Sequence, residues 1–102
     1  GEYEFKNLEL DICGDKGLSV GETSNIFVEN ISVNNSSIGV ASKDGSITNI
    51  LNSKFNNVDT CLESYNKKQE FSGGYIKVDK FSCSNFTKKI SLDSQSEIII
   101  KN

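Results

Sequence analysis

The sequence predicts an all-β solenoid of about four coils, wound from short parallel strands as a single domain over residues 1–102. Three observations predict it: a frame of alternating apolar residues that returns about every 22 positions, a composition rich in strand and turn formers, and a near-absence of helix formers. Ser (15), Asn (12) and Ile (11) lead the composition, Ala occurs once, at Ala41, and Pro is absent. Such a chain has little intrinsic drive to form helices and much to form strands and corners.

The first strand of each coil carries the frame. Tyr3-x-Phe5-x-Asn7, Ile26-x-Val28-x-Asn30, Thr48-x-Ile50-x-Asn52, Ile76-x-Val78-x-Lys80 and Ile98-x-Ile100-x-Asn102 are offset by 23, 22, 28 and 22 residues. The same register aligns a second strand, with Leu8-x-Leu10 over Ile31-x-Val33, Ser53-x-Phe55 and Phe81-x-Cys83. It aligns a third as well, with Leu18-x-Val20 over Val40-x-Ser42, Leu62-x-Ser64 and Ile90-x-Leu92. Asn35, Asn57 and Asn85 each follow the second strand by two residues, and Asn tolerates the left-handed backbone of a sharp corner. The one long offset places six extra residues within 65–74, a stretch ending in Gly73-Gly74 that should leave the wall as a loop.

Stacking at the strand spacing of about 4.8 Å makes the rows Val28/Ile50/Val78/Ile100 and Leu18/Val40/Leu62/Ile90 continuous aliphatic stacks, each buried residue contributing roughly 1.5–3 kcal/mol. Asn7, Asn30, Asn52 and Asn102 form an amide column that Lys80 interrupts, and this column is expected to face inward.

On the residues Ile26/Val28/Asn30, Thr48/Ile50/Asn52 and Ile98/Ile100/Asn102, and on the aligned segments Gly17-Leu-Ser-Val-Gly-Glu22 and Gly39-Val-Ala-Ser-Lys-Asp44, the chain resembles the right-handed parallel β-helix proteins of the pectate-lyase-like group over nearly its whole length. The leucine-rich alternative fails, because its Leu-x-x-Leu-x-Leu-x-x-Asn consensus is missing. The resemblance implies a fold rather than an activity. In pectate-lyase-like enzymes several Asp residues hold calcium and a cationic residue, often Arg, takes a proton from the sugar. This chain has no Arg, so Lys43 or Lys67 would have to play that part, and no stretch matches a lyase motif.

Charge and missing residue types exclude several function classes. With 11 Lys, no Arg, 14 Asp plus Glu and no His, the net charge is −3, and a His general base, a His-ligated zinc or an arginine finger is impossible. Weak acidity argues against nucleic acid as a partner, and no apolar run approaches the roughly 20 residues that span a bilayer. Cys13, Cys61 and Cys83 are an odd set without CxxC spacing, which suggests free or buried thiols rather than a disulfide framework.

Candidate sites lie on and beyond the third strand. Its expected outward positions begin with the small residues Gly17, Ser19, Gly21, Gly39 and Ala41, and continue with Cys61 and the polar ridge of Lys43, Glu63 and Tyr65. With Lys67 and Lys68 of the inserted stretch, Lys43, Glu63 and Tyr65 are the candidates for contacting a carbohydrate. Glu22, Asp44 and Asn66 stack as oxygen ligands that could hold calcium, the one cofactor the residues suggest. The expected function is a non-catalytic structural or carbohydrate-binding module of a larger bacterial protein, exported or attached to the cell envelope. Two alternatives differ in class: a lyase- or epimerase-like module for acidic polysaccharide, combining Glu22, Asp44, Lys43 and Tyr65, and an assembly element that stacks through open ends. The chain begins with Gly, shows no secretory signal and carries no capping helix, so a piece of a longer β-helix, or end-to-end self-association, is expected.

Overall fold

A computed structural model of the chain describes residues 2–67 and 72–101, with Cys13 described for its backbone alone. Among the described residues there is no helix, and 79% lie in strands that pair in parallel as a β-solenoid of about four turns with a period near 22 residues. Ladder pairing runs unbroken through the corners. Each of the first three coils is therefore one bent strand of 19 residues: β1 Glu2–Val20, β2 Asn25–Lys43 and β3 Ile47–Tyr65. The fourth coil is β4 Tyr75–Ser84 and β5 Lys88–Leu92, and β6 Glu97–Ile100 begins a fifth rung.

The register is the one the repeats require. Phe5 pairs with Val28, Val28 with Ile50, Ile50 with Val78 and Val78 with Ile100. Because side chains alternate faces, this register turns one row inward along the whole axis. Val28, Ile50, Val78, Val40 and Leu62 are fully buried, and Phe55 packs its ring on Phe81 at 5.9 Å between centroids. The rows open at the ends, where Ile90 is exposed and Ile98 and Ile100 are only partly covered.

Corners fall where left-handed backbone is cheapest. Asn35, Asn57 and Asn85 all have positive φ (57°, 58° and 53°), as their spacing predicts. A second corner closes each coil with a four-residue turn, Ser24 N–H donating to the Gly21 carbonyl and Ser46 N–H to that of Lys43. Asp44 and Gly45 there take φ of 51° and 75° in succession, which an Asp-Gly pair tolerates. In the third coil this turn is replaced by the insertion, so Ile47 pairs with Tyr75, 28 residues on. Four of the inserted region's residues, 68–71, including the candidate Lys68, lie outside the described residues.

Two expectations are corrected. The Asn column faces outward, because the chain spends two residues on the corner between the inward Val28 and Ile31, which leaves Asn7, Asn30 and Asn52 exposed. The amide ladder itself exists, Asn30 donating to Asn7 and Asn52 to Asn30 at 3.1 Å each. The cysteines are also not all thiols: Cys61 and Cys83 form a disulfide with Cα atoms 6.4 Å apart.

The disulfide follows from the packing of the third side against the second. A Cβ on Gly17 would sit 2.8 Å from Val33 Cγ1, and one on Gly39 2.6 Å from Phe55 Cδ1 and 2.5 Å from the Cys61 carbonyl oxygen. The side-chain contacts, Gly17 to Val33 and Gly39 to Phe55, each join one coil to the next, 16 residues on in sequence. The six inserted residues lengthen that step to 22 for Cys61, which puts Cys83 opposite it. Gly39, Ala41 and Cys61, expected at outward positions, are buried.

Opening the disulfide by Cys61→Ser with Cys83→Ser should cost about 3 kcal/mol for a loop of this size, read as a lower urea midpoint; an unchanged midpoint under oxidising conditions would show that the bond does not form. Gly39→Ala should destabilise by about 1–3 kcal/mol in the same assay, since neither Phe55 nor the Cys61 carbonyl can retreat.

Candidate functional site

Two surfaces carry chemistry. The first is the outer wall beside the corner between the first and second sides. Here Asn7, Asn30 and Asn52 project outward one rung apart, with Lys80 in the fourth rung of the same column. Beside them runs a parallel column of Glu9, Ser32, Lys54 and Ser82. Between the columns lies an open groove of about 190 Å³, floored by Leu8 and Ile31. It continues past Asn52 and Lys54 into a depression of about 380 Å³ bordered by Lys80, Phe81 and Ser82. Together they follow the solenoid axis over four rungs, about 14 Å at the usual strand spacing.

The groove offers an alternating set of donors and acceptors. Asn30 gives one N–H to Asn7 and receives one from Asn52, which leaves it a second N–H and a second lone pair. Lys54 and Lys80 are exposed and add positive charge at the end nearer the fourth coil. The repeat spacing predicts this column, but the structure turns it outward rather than inward. Lys80 was the signal of its true side, since a lysine in register with the amides cannot be buried without a partner.

The second surface is the one the sequence singled out. Lys43 and Tyr65 are direct neighbours across β2 and β3, both half-buried, and the Lys43 chain lies over Gly21. Glu63 shares their wall, between Ala41 and Ser91. Lys67 is exposed on the segment leading into the insertion. Four of the five carbohydrate candidates are thus grouped around one corner.

Glu22, Asp44 and Asn66 occupy successive turns, yet they do not present one shared face. Glu22 is exposed, Asn66 is half-buried and Asp44 is 1% exposed. Asp44 Oδ1 accepts the Lys67 N–H at 2.7 Å, and Asp93 Oδ2 accepts that of Asn66 at 2.7 Å. These carboxylates link one turn to the next by taking backbone donors that strand pairing leaves over. Among the described residues no group of three or more His, Cys, Asp or Glu is placed to hold a metal ion. The lyase combination is split in the same way, with Asp44 buried and Glu22 exposed.

No protein-family model, curated protein or solved structure matches the chain. The fold and these surfaces are therefore what its function must be argued from.

Asp93 gives the stability of the fold a pH dependence. The Ser96 hydroxyl, 2.7 Å from Oδ1, holds its carboxyl below the ordinary value of 3.8, helped by the N–H groups of Asn66 and Gln95 and opposed by partial burial. A carboxyl depressed in the folded state stabilises the fold at pH above its unfolded value, and that contribution is lost as pH falls through the folded value. Asp93→Asn should lower the urea midpoint at neutral pH and leave it nearly unchanged near pH 2. The difference should stay under about 1 kcal/mol because water screens the site; an equal loss at both pH values would show that the charge is not responsible.

Proposed function

We propose that this protein is a non-catalytic module that binds an extended acidic polysaccharide along its outer wall, within an exported or envelope-attached protein. The observation that carries the reading is the axial groove of Asn7, Asn30 and Asn52 that ends at Lys54 and Lys80. A linear chain of sugars repeats hydroxyls along one axis, and the groove repeats amides along one axis every 4.8 Å or so. Amide groups suit hydroxyls because each both donates and accepts. The two lysines suit a carboxylate or sulfate on the sugar, as point charges on an open surface.

One further observation supports the setting: a disulfide such as Cys61–Cys83 forms and persists in oxidising compartments.

Titration of the protein with a uronate polymer at low salt should give binding that weakens as salt is raised. Lys54→Glu with Lys80→Glu should reduce affinity about tenfold or more, roughly 1.4 kcal/mol, without changing the urea midpoint. No rise in ultraviolet absorbance from unsaturated product is expected on prolonged incubation. Affinity unaffected by the double change, or no binding to any uronate polymer, would overturn the proposal.

A further inference from the structure

The outer face of the first side is apolar in places where the outer face of the second is not. Because side chains alternate, the first-side strands turn three columns outward. The outer two run through Ile47 and Tyr75 and through Leu51 and Asp79, with Phe27, Lys77 and Ile99 in the column between them. Phe27, Leu51, Tyr75 and Ile99 are half-buried and Ile47 is 39% exposed. In the second and third rungs the outward residues of the second side, Ser32, Asn34, Lys54 and Asn56, are all polar. Large apolar side chains repeated along the solvent face of a parallel sheet mark a face that is covered in use.

From the order of residues on this face we infer that it packs against the same face of a second copy, making a side-by-side dimer about a two-fold axis parallel to the solenoid. Such an axis sets each rung opposite the same rung and exchanges the two outer columns. Glu2 then meets Lys6 of the second copy, and Glu97 meets Lys101. Ile47 meets Leu51, the Tyr75 hydroxyl meets the Asp79 carboxylate and the Asn25 amide meets that of Glu29. Every pair occurs twice, and each joins opposite charges, two apolar groups, or a donor and an acceptor.

The middle column meets its own copy, which stacks Phe27 on Phe27 and Ile99 on Ile99 and pairs the Asn49 amides. It also sets Glu4 on Glu4 and Lys77 on Lys77, but Glu4 is then flanked by Lys6, and Lys77 by Asp79, from both copies. The other face-to-face two-fold, along the strands, would set Glu2 on Glu97, Glu29 on Asp79 and Lys6 on Lys101, so charge selects the first. The face carries five carboxylates and three lysines, a net charge of −2. At physiological ionic strength that repulsion is screened beyond about 8 Å, and the neighbouring pairs decide. Three columns and five rungs bury about 900 Å² over both copies, at the low end for a specific contact, so the dimer is weak. The amide groove opens on the second side, round the corner from this face, so polysaccharide binding and dimerisation are independent.

The test is sedimentation equilibrium on the 102-residue chain at physiological salt, from about 10 μM to about 1 mM. Mass should approach that of a dimer and go no higher, because a two-fold contact is closed. Leu51→Lys should stay monomeric with an unchanged urea midpoint, since the side chain it replaces points away from the core. Glu97→Lys and Lys101→Glu should each weaken the dimer about tenfold, and the two changes in one chain should restore it, because the pair is then rebuilt in reverse. A native chain that stays monomeric, a mass that grows past the dimer, or a double reversal that recovers nothing overturns the inference. If Leu51→Lys loses its strand signal in circular dichroism, Ile47→Thr tests the same contact and should weaken the dimer about tenfold; a dimer of native strength there also overturns it.

Discussion

In-register parallel stacking is the constraint on which the rest of the molecule depends. Each residue's environment is set by the residue one coil above and the one below, so a slip of one position would carry every inward row to the surface. Val28, Ile50 and Val78 are buried together for that reason, and a substitution at one is felt by two neighbours. The same constraint explains where length can vary. The extra residues of the third coil stand in place of a turn, and Tyr75 re-enters pairing opposite Ile47 with no register error in the strands that follow.

Polar groups inside the solenoid obey the stacking too. Thr48 donates to Ser42, Ser42 lies 2.6 Å from Ser46, and Ser46 donates to the Val20 carbonyl. Hydroxyls that would be costly if buried alone satisfy one another where the third side meets the first, and Ser42 also reaches the carbonyl of Tyr75 in the fourth coil. Outside, the amides of Asn35, Asn57 and Asn85 do similar work: Asn35 donates to Asp11, Asn57 to Asn35 and Asn85 to Asn56. Ladders of one residue type are thus a consequence of the register before they are a surface for any ligand.

Much of this architecture was legible in the sequence because period and register leave a trace in every coil. Tyr3, Ile26, Thr48, Ile76 and Ile98 could be aligned from spacing alone, and the left-handed corners at Asn35, Asn57 and Asn85 could be read from residue type. What could not be read was the direction of a side chain next to a corner. Two residues between Val28 and Ile31 reverse the alternation, which sends Asn30 out where a straight strand would have turned it in. The disulfide was hidden for a related reason. Cys61 and Cys83 are separated by one nominal period, which suggests the same column, but part of that distance is insertion and the contact is a diagonal one. The site was less legible than the fold, since Asp44 and Asp93 use the same carboxylate chemistry to cap turns that a calcium site would use to bind.

The disulfide also makes the first and fourth coils mechanically unlike. In a solenoid each coil is held only by its neighbours, so a terminal coil has half the contacts of a central one and frays first. The first coil meets this condition with partly covered Phe5, Leu8, Leu10 and Leu18 and a register irregularity between Asp11 and Gly14. The fourth coil would be weaker still, because its strand breaks between Ser84 and Lys88 and Phe86 and Leu92 stand open. Cys83 lies within that coil and Cys61 is fully buried in the third, so the bond tethers the more open coil to the interior of its neighbour. The bond thus secures the fourth coil across the break in its strand, whereas the first coil is held by β1 pairing along nearly its whole length with β2.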